Sequence, residues 1–455
     1  MSRLIDALLT PPYNTDIAKL FTEVQYMALY DYLVTPHPEK AGIDPARLKA
    51  VGETMQRYID SNKVPNMVTA IVRKGELVHY EARGYMDIGS RKPVGKDTIF
   101  RLYSNSKAVA GVAVMILCEE GRLHLDDPVS MYLPAFKNPV VQAPGTMRKE
   151  PVAGPEIIPP LVPASREITI RDCLRNTTGL ATPLRTIHAV ARYYEKAVKE
   201  SGWDLAEDLD RPPRKTYRER VNAHAKIPLS FDPGTQFEYH VGYPVIGVII
   251  ETVTGKTLEE FYREKIFRPL RMDDTSFYCD ETKIDRFSTC YVPACRKGTW
   301  QLTVYDVPET SEKVKGPKTR FAPGGDMGGL LSTASDYMRF ARMLLNRGEL
   351  DGERILSRKS VEIMTSSHTG DITTPLLKPG FGWGLGVAVY TGTSPEPIVR
   401  SPGSFGWGGA AGTTFFVDPK EELAAVCFTQ VLHRTMMPGN DYQEEFERVV
   451  YQALL

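Results

Sequence analysis

The segment FRLYSNSKAVAGVAVMILCEEG, residues 100–121, opens on the single Ser-x-x-Lys of the chain, Ser104 to Lys107. A hydroxyl and an amine three residues apart share one side of a helix, and the first-turn N–H groups of a helix have no partner inside it. That set is a nucleophile, a base beside it and donors for a developing oxyanion. Ala108, Val109, Gly111, Val112, Val114, Met115, Ile116 and Leu117 cover nearly every face that follows, so the spacing predicts a helix buried in the core. Burial disfavours the charged form of an amine, which would make Lys107 a usable base. The plain alternative is an N-cap serine with a snorkelling lysine, but a lysine opening an all-apolar helix has little room to snorkel.

The rest of the chain must position that turn. At 455 residues it is too long for one ordinary core, and a 42% hydrophobic fraction supports globular packing in two lobes. Residues 1–40 read as a leader with a helix near 17–32, packed on the body. Asp44 reads as the N-cap of a helix through residue 60, followed by strands at 66–72 and 77–84. Gly121 stops the central helix, and Asp127-Pro128 starts a short new one. Residues 137–165 are too rich in proline for helix or inner strand and read as a surface insertion. Helical segments are expected at 186–201, at 216–225, from Tyr239 to about 254 and from Thr257. Residues 274–324 are irregular and polar. A helix starting at Ser335 or Asp336 runs to 346–348, strands follow at 382–390, 412–417 and 423–429, and a helix runs from 441 to 455. The simplest architecture makes an α/β lobe from residues 41–100 plus 331–455, with a helical lobe from 101–330 inserted and a cleft between them.

Composition excludes several classes. Lys+Arg 56 balances Asp+Glu 56, so no global field draws in nucleic acid or an acidic membrane. The opening has no unbroken apolar run and breaks at Pro11-Pro12, and no stretch has membrane length, so a soluble, cytoplasmic protein is expected. Cys118 and Cys427 lie in apolar runs as buried thiols. Cys290 and Cys295 lack a second ligand pair at zinc spacing, and the eight histidines form no H-E-x-x-H, so neither metal nor cofactor is expected. No G-x-S-x-G is present, which disfavours nucleophile-elbow hydrolases. Gly406-x-Gly408-x-x-Ala411 imitates a dinucleotide fingerprint but leads into a strand.

The order of segments says more than any one of them. FRLYSNSKAVAG, GRLHLDDPVSMYLP, ITIRDCLRNTTGL, FDPGTQFEYHVGYPVIGVIIETVTGK, GGLLSTASDYMRFARMLLNRG, GFGWGLGV and FGWGGAAGTTFFVDP stand in the order of the serine β-lactamase and penicillin-recognising superfamily, which the chain resembles across residues 43–429. Its nearest look is to the family VIII carboxylesterases. The resemblance implies the β-lactamase/transpeptidase-like fold, an antiparallel-sheet α/β sandwich with an inserted, mainly helical domain. It makes Ser104 the nucleophile, Lys107 its proton acceptor and Tyr239, which matches the tyrosine of the Y-x-N loop, the group that passes the proton on. It implies an oxyanion hole from the N–H groups of Ser104 and Ala410.

Departures from the family bear on substrate. Trp407-Gly408-Gly409 stands where β-lactamases have K-T-G, so the cation and hydroxyl that would bind a substrate carboxylate are replaced by an indole and two glycines. Val241 replaces the motif's asparagine. His240 reads as a satisfied loop histidine or a substrate contact, and His368-Thr369-Gly370 as a loop that only mimics K-T-G. The expected function is hydrolysis of small to medium uncharged esters through an acyl-enzyme, with Trp407, Gly408, Gly409 and His240 against the substrate. Acyl transfer or amide cleavage by the same residues, β-lactamase or peptidase activity, and a catalytically silent scaffold are the alternatives. Neither the physiological ester nor the oligomeric state follows from the sequence.

Overall fold

In the computed structural model, the chain is described at residues 34–143, 160–181, 216–316 and 329–455. The leader helix at 17–32, the middle of the proline-rich insertion, the segment at 186–201 and the glycine-rich approach at 324–328 lie outside the described residues.

Eight antiparallel strands form one sheet. They are β1 (Asn66–Arg73), β2 (Glu76–Asp87), β3 (Lys92–Pro93), β4 (Phe381–Trp383), β5 (Ala388–Tyr390), β6 (Phe405–Gly408), β7 (Thr414–Asp418) and β8 (Leu423–Phe428), in the spatial order β4-β5-β6-β7-β8-β1-β2-β3. The two ends of the chain therefore meet at the centre, where β1 pairs β8 with Val68 opposite Phe428 and Ala70 opposite Val426. Alternation along these strands divides the core. Met67, Ile71, Ala425 and Cys427 face α1 (Pro45–Asp60) and α7 (Tyr442–Gln452), with Val51, Met55, Phe446 and Val450. Val68, Ala70, Val72, Ala424, Val426 and Phe428 face the other way, onto α2 (Ser106–Glu119) and α6 (Ala334–Leu345). The Asp44 side chain caps α1 through the N–H groups of Ala46 and Arg47, and Tyr58 of α1 donates to Asp441 beside α7 at 2.6 Å.

The helical part is built on α2. Every residue of α2 from Ser106 to Leu117 is buried, as its all-round apolar sequence requires. Packed together with it are α3 (Ile170–Leu174), α4 (Tyr217–His224) and α5 (Gly242–Thr254).

Several boundaries differ from expectation. Residues 382–390 are two strands joined at Gly386, whose φ of +106° suits glycine and whose Cβ, if present, would lie 2.5 Å from the Lys107 carbonyl oxygen. The α6 cap is Thr333, accepting from the Asp336 N–H, rather than Ser335 or Asp336. The irregular 274–324 region contains a hairpin, Cys290–Arg296 with Thr299–Asp306. The flanks of the proline-rich insertion pair as a two-stranded ribbon, Val140–Gln142 with Leu161–Pro163, in which Val140–Gln142 also bonds Leu229 on its other side and Pro163 lies on the outer strand, an edge position that proline tolerates. No helix among the described residues is long and apolar enough to cross a membrane.

Candidate active site

Ser104 lies in a 3₁₀ turn, Tyr103–Asn105, that runs directly into α2 at Ser106, so it precedes the α-helix proper by two residues. Tyr103 holds φ +46° although it carries a side chain, a conformation that persists only where its surroundings over-determine it. They do. Leu102 N–H donates to Leu330 O at 2.8 Å, and Thr413 Oγ1 donates to Leu102 O at 3.1 Å. Tyr337 of α6 donates its hydroxyl to Asn105 O at 2.9 Å, while Leu330 N–H donates to Ser106 Oγ at 2.9 Å. One residue earlier, the buried Arg101 guanidinium pairs with Asp306, donates to Ser288 O at 2.7 Å and stands 3.9 Å over the Phe287 ring. The turn carrying Ser104 is thus tied to α6, to the β6–β7 corner and to the Cys290–Asp306 hairpin.

Lys107 is fully buried, and its Nζ lies 3.0 Å from Ser104 Oγ. The same Nζ lies 3.0 Å from Nδ1 of His240, 4.6 Å from the centre of the Tyr239 ring and 5.2 Å from that of Tyr243. Tyr239 is half-buried, and its hydroxyl accepts a hydrogen bond from Trp407 Nε1 at 2.7 Å. Trp383 completes the wall, 4.5 Å from Trp407 and 5.6 Å from Tyr239 between ring centres, with its own Nε1 donating to Leu174 O. Phe237, Leu377, Phe381 and Ala388 extend this apolar side.

Trp407 and Gly408 end β6, and Gly409 turns against the strand that leads to Ser104. A Cβ on Gly409 would lie 2.2 Å from Leu102 O, so only glycine allows this approach. Ala410 follows, exposed at the tip of that corner. The turn carrying Ser104 and the corner carrying Ala410 are therefore neighbours, as Leu102 is bonded from Thr413 on the far side of the corner.

Sequence reasoning left one contact unseen. His240 lies against Lys107, and its backbone is at φ +93° with its N–H donating to Asn176 Oδ1 at 2.8 Å. Asn176 is buried, has φ +61° and accepts from Glu238 N–H at 2.8 Å, so it clamps both sides of Tyr239. The available signal was an asparagine in RNTTGL, a type that tolerates left-handed backbone in a tight turn. His368 is engaged elsewhere, with Nδ1 3.1 Å from Arg171 and Nε2 2.8 Å from Ile363 O.

Asp172 anchors the Asn176 loop. Its carboxylate is fully buried and accepts from Arg166, Arg175 at 2.9 Å, Thr177 Oγ1 at 2.9 Å and Thr169, whose own hydroxyl completes a capping box. Burial raises its pKa, but the hydrogen bonds and charge of Arg166, with help from Thr169 and Arg175, prevail and hold it at about 2. Because the folded value lies below the ordinary one, the stabilisation is present above about pH 4 and is lost as pH falls toward 2. Asp172→Asn is expected to destabilise the fold at pH 7 by about 3 kcal/mol, the lower end for breaking a buried pair, since both arginines keep some access to water. Urea melts at pH 7 and pH 2.5 check this: the difference between wild type and variant should shrink at the lower pH.

Residues 51–448 match the family model described as Beta-lactamase, and the chain belongs to that family. It is 30% identical over 389 residues to Protein Rv1367c of Mycobacterium tuberculosis (strain ATCC 25618 / H37Rv), covering 83% of this chain and 88% of that one. With Esterase EstB of Burkholderia gladioli it shares 26% identity over 413 residues, 88% of this chain and 94% of the esterase. Among solved structures, that of "EstCE1, a hydrolase with promiscuous acyltransferase activity" superposes with a TM-score of 0.70 at 25% identity, covering 89% of this chain and 98% of that one. The fold is that of the β-lactamase/transpeptidase-like proteins, as the resemblance implied.

Proposed function

We propose that this chain is a serine hydrolase that cleaves small to medium uncharged carboxylic esters through an acyl-enzyme on Ser104. The observation that carries the reading is the 3.0 Å contact between Ser104 Oγ and a fully buried Lys107 Nζ, at a turn facing Tyr239 and Trp407. Neutral Lys107 takes the hydroxyl proton as Ser104 Oγ attacks the ester carbonyl. The oxyanion is received by the N–H groups of Ser104 and Ala410, a kind of donor whose loss costs about a hundredfold or more in rate. Tyr239, with its ring over the lysine, passes the proton to the leaving alkoxide, and water then releases the acyl group by the reverse path.

The wall formed by Trp407, Trp383 and Phe237 supports an uncharged substrate, because it offers apolar surface where a K-T-G strand would offer a cation and a hydroxyl. Similarity to the esterase EstB and to the hydrolase EstCE1 supports ester chemistry on this fold. EstCE1 joins hydrolysis with promiscuous acyl transfer, so an alcohol that replaces water in deacylation is the second reading.

The test is turnover of p-nitrophenyl acetate and butyrate against nitrocefin, with a fluorophosphonate probe whose adduct is mapped by peptide mass. Ester turnover and an adduct on Ser104 are expected. Absence of both turnover and labelling favours the silent scaffold, and preference for nitrocefin overturns the substrate reading. Tyr239→Phe is expected to lower kcat about 100-fold with little change in stability, measured by steady-state kinetics and thermal melting.

A further inference from the structure

His240 pays a backbone penalty that its surroundings enforce. A side-chain-bearing residue at φ +93° is strained, and glycine would relieve it. The Asn176 amide oxygen holds the His240 N–H at 2.8 Å, and the result is an imidazole with Nδ1 3.0 Å from Lys107 Nζ. That nitrogen has Ser104 Oγ at the same 3.0 Å distance.

We propose that His240 is a positioning residue for the base: its Nδ1 accepts an N–H of neutral Lys107, which turns the amine's lone pair toward the Ser104 hydroxyl. The inference rests on the reading of Ser104 as nucleophile. Neutral Lys107 has two N–H donors and one lone pair. With one N–H given to His240 Nδ1, the lone pair is left for the Ser104 proton, and the imidazole must carry its own proton on Nε2. When Ser104 attacks, its O–H bond breaks, a new N–H bond forms on Lys107 and His240 continues to accept from the resulting ammonium. Nothing is oxidised or reduced, and the proton stays on Lys107 until it is handed to the leaving alkoxide.

This arrangement links catalysis to the charge of the imidazole. A second proton on the ring turns Nδ1 from acceptor into donor, aims it at the lysine lone pair and sets a positive charge against the ammonium that acylation must create. The titratable groups facing His240 are Lys107 of α2, Tyr239 beside it, Tyr243 of α5 through its contact with the same lysine, and Tyr217, Arg220 and His224 of α4 across a small cavity shared with Val241 and Pro244. His224 is separable from it. Burial pushes its pKa down to about 4, and its Nε2 bonds Ala181 O at 2.7 Å.

The experiment compares the full-length wild type with His240→Asn and His240→Gly. Asparagine tolerates the left-handed region and does not titrate, and glycine removes the strain should the asparagine variant fail to fold. The pre-steady-state acylation rate with p-nitrophenyl butyrate is followed from pH 5 to 9, alongside thermal melting and the extent of fluorophosphonate labelling at Ser104. Both variants should still label Ser104, with acylation at pH 7.5 slowed about 10- to 100-fold by the misaimed amine. The wild-type rate is expected to fall toward pH 5, and in the variants that fall should move by a full pH unit or flatten. Rates within twofold of wild type overturn the proposal. So does an equal slowing at every pH with the acid limb unmoved, which would mark a merely structural role. If wild type neither labels nor turns over, the nucleophile reading itself has failed and this inference falls with it.

Discussion

Ser104→Ala is expected to lose at least about 10⁴-fold in kcat on p-nitrophenyl butyrate, since serine hydrolases stripped of their nucleophile keep only what binding and the oxyanion hole supply. Fluorophosphonate labelling should vanish with it. The fold should survive, because the hydroxyl is half-buried and one neutral hydrogen bond to Lys107 contributes only about 1 kcal/mol. Ser106, two residues on, is the natural rival, but it is fully buried with Oγ accepting from Leu330 N–H and has no path to a substrate. A Ser104→Ala protein that keeps a tenth of its turnover, or still takes the label, would remove Ser104 from the role assigned to it. Parallel melting curves separate a chemical loss from an unfolded sample.

The parts of this molecule that could be read from sequence are those set by local periodicity. The all-apolar run behind Lys107 dictates a helix buried on every side, and strands β1, β7 and β8 announce themselves as short, largely apolar runs, buried at every position and bounded by turn residues. Order along the chain points to Tyr239 and to the Trp407 edge, and Tyr239 does stand beside Lys107 with Trp407 bonded to its hydroxyl. What could not be read depends on backbone outliers and on partners distant in sequence. His240 reaches Lys107 only because φ is +93°, and Asn176, 64 residues upstream, is what holds it there. No propensity scale contains that information. Likewise GFGWGLGV looks like one strand until Gly386 folds it back against the carbonyl of Lys107, a contact fixed by packing on α2 rather than by the segment itself. The hairpin from Cys290 to Asp306 is amphipathic and carries exposed side chains, so its pattern is weak, yet its Asp306 pairs with the buried Arg101 just before the turn that carries Ser104.

Lys107→Met is the substitution in which activity and stability should move apart. Methionine fills a similar volume without a polar head, so the variant no longer buries an amine at the start of an apolar helix, and thermal stability should stay level or rise by about 1 kcal/mol. Against this, Ser104 and His240 each lose a partner, but both are half-exposed and water can replace it. Turnover should nevertheless fall by about 10³-fold or more, the worth of a positioned base, equivalent to roughly 4 kcal/mol of transition-state stabilisation. A loss of that size in a protein that melts no lower than wild type cannot come from unfolding. It assigns the buried amine to chemistry, since the fold gains nothing from keeping a charge-bearing group where an apolar one fits. Steady-state kcat/KM on p-nitrophenyl butyrate and a thermal melt of the same sample decide the matter. A variant that retains more than a tenth of wild-type turnover would make Lys107 a structural partner of Ser104 and His240 and would send the search for the base to Tyr239.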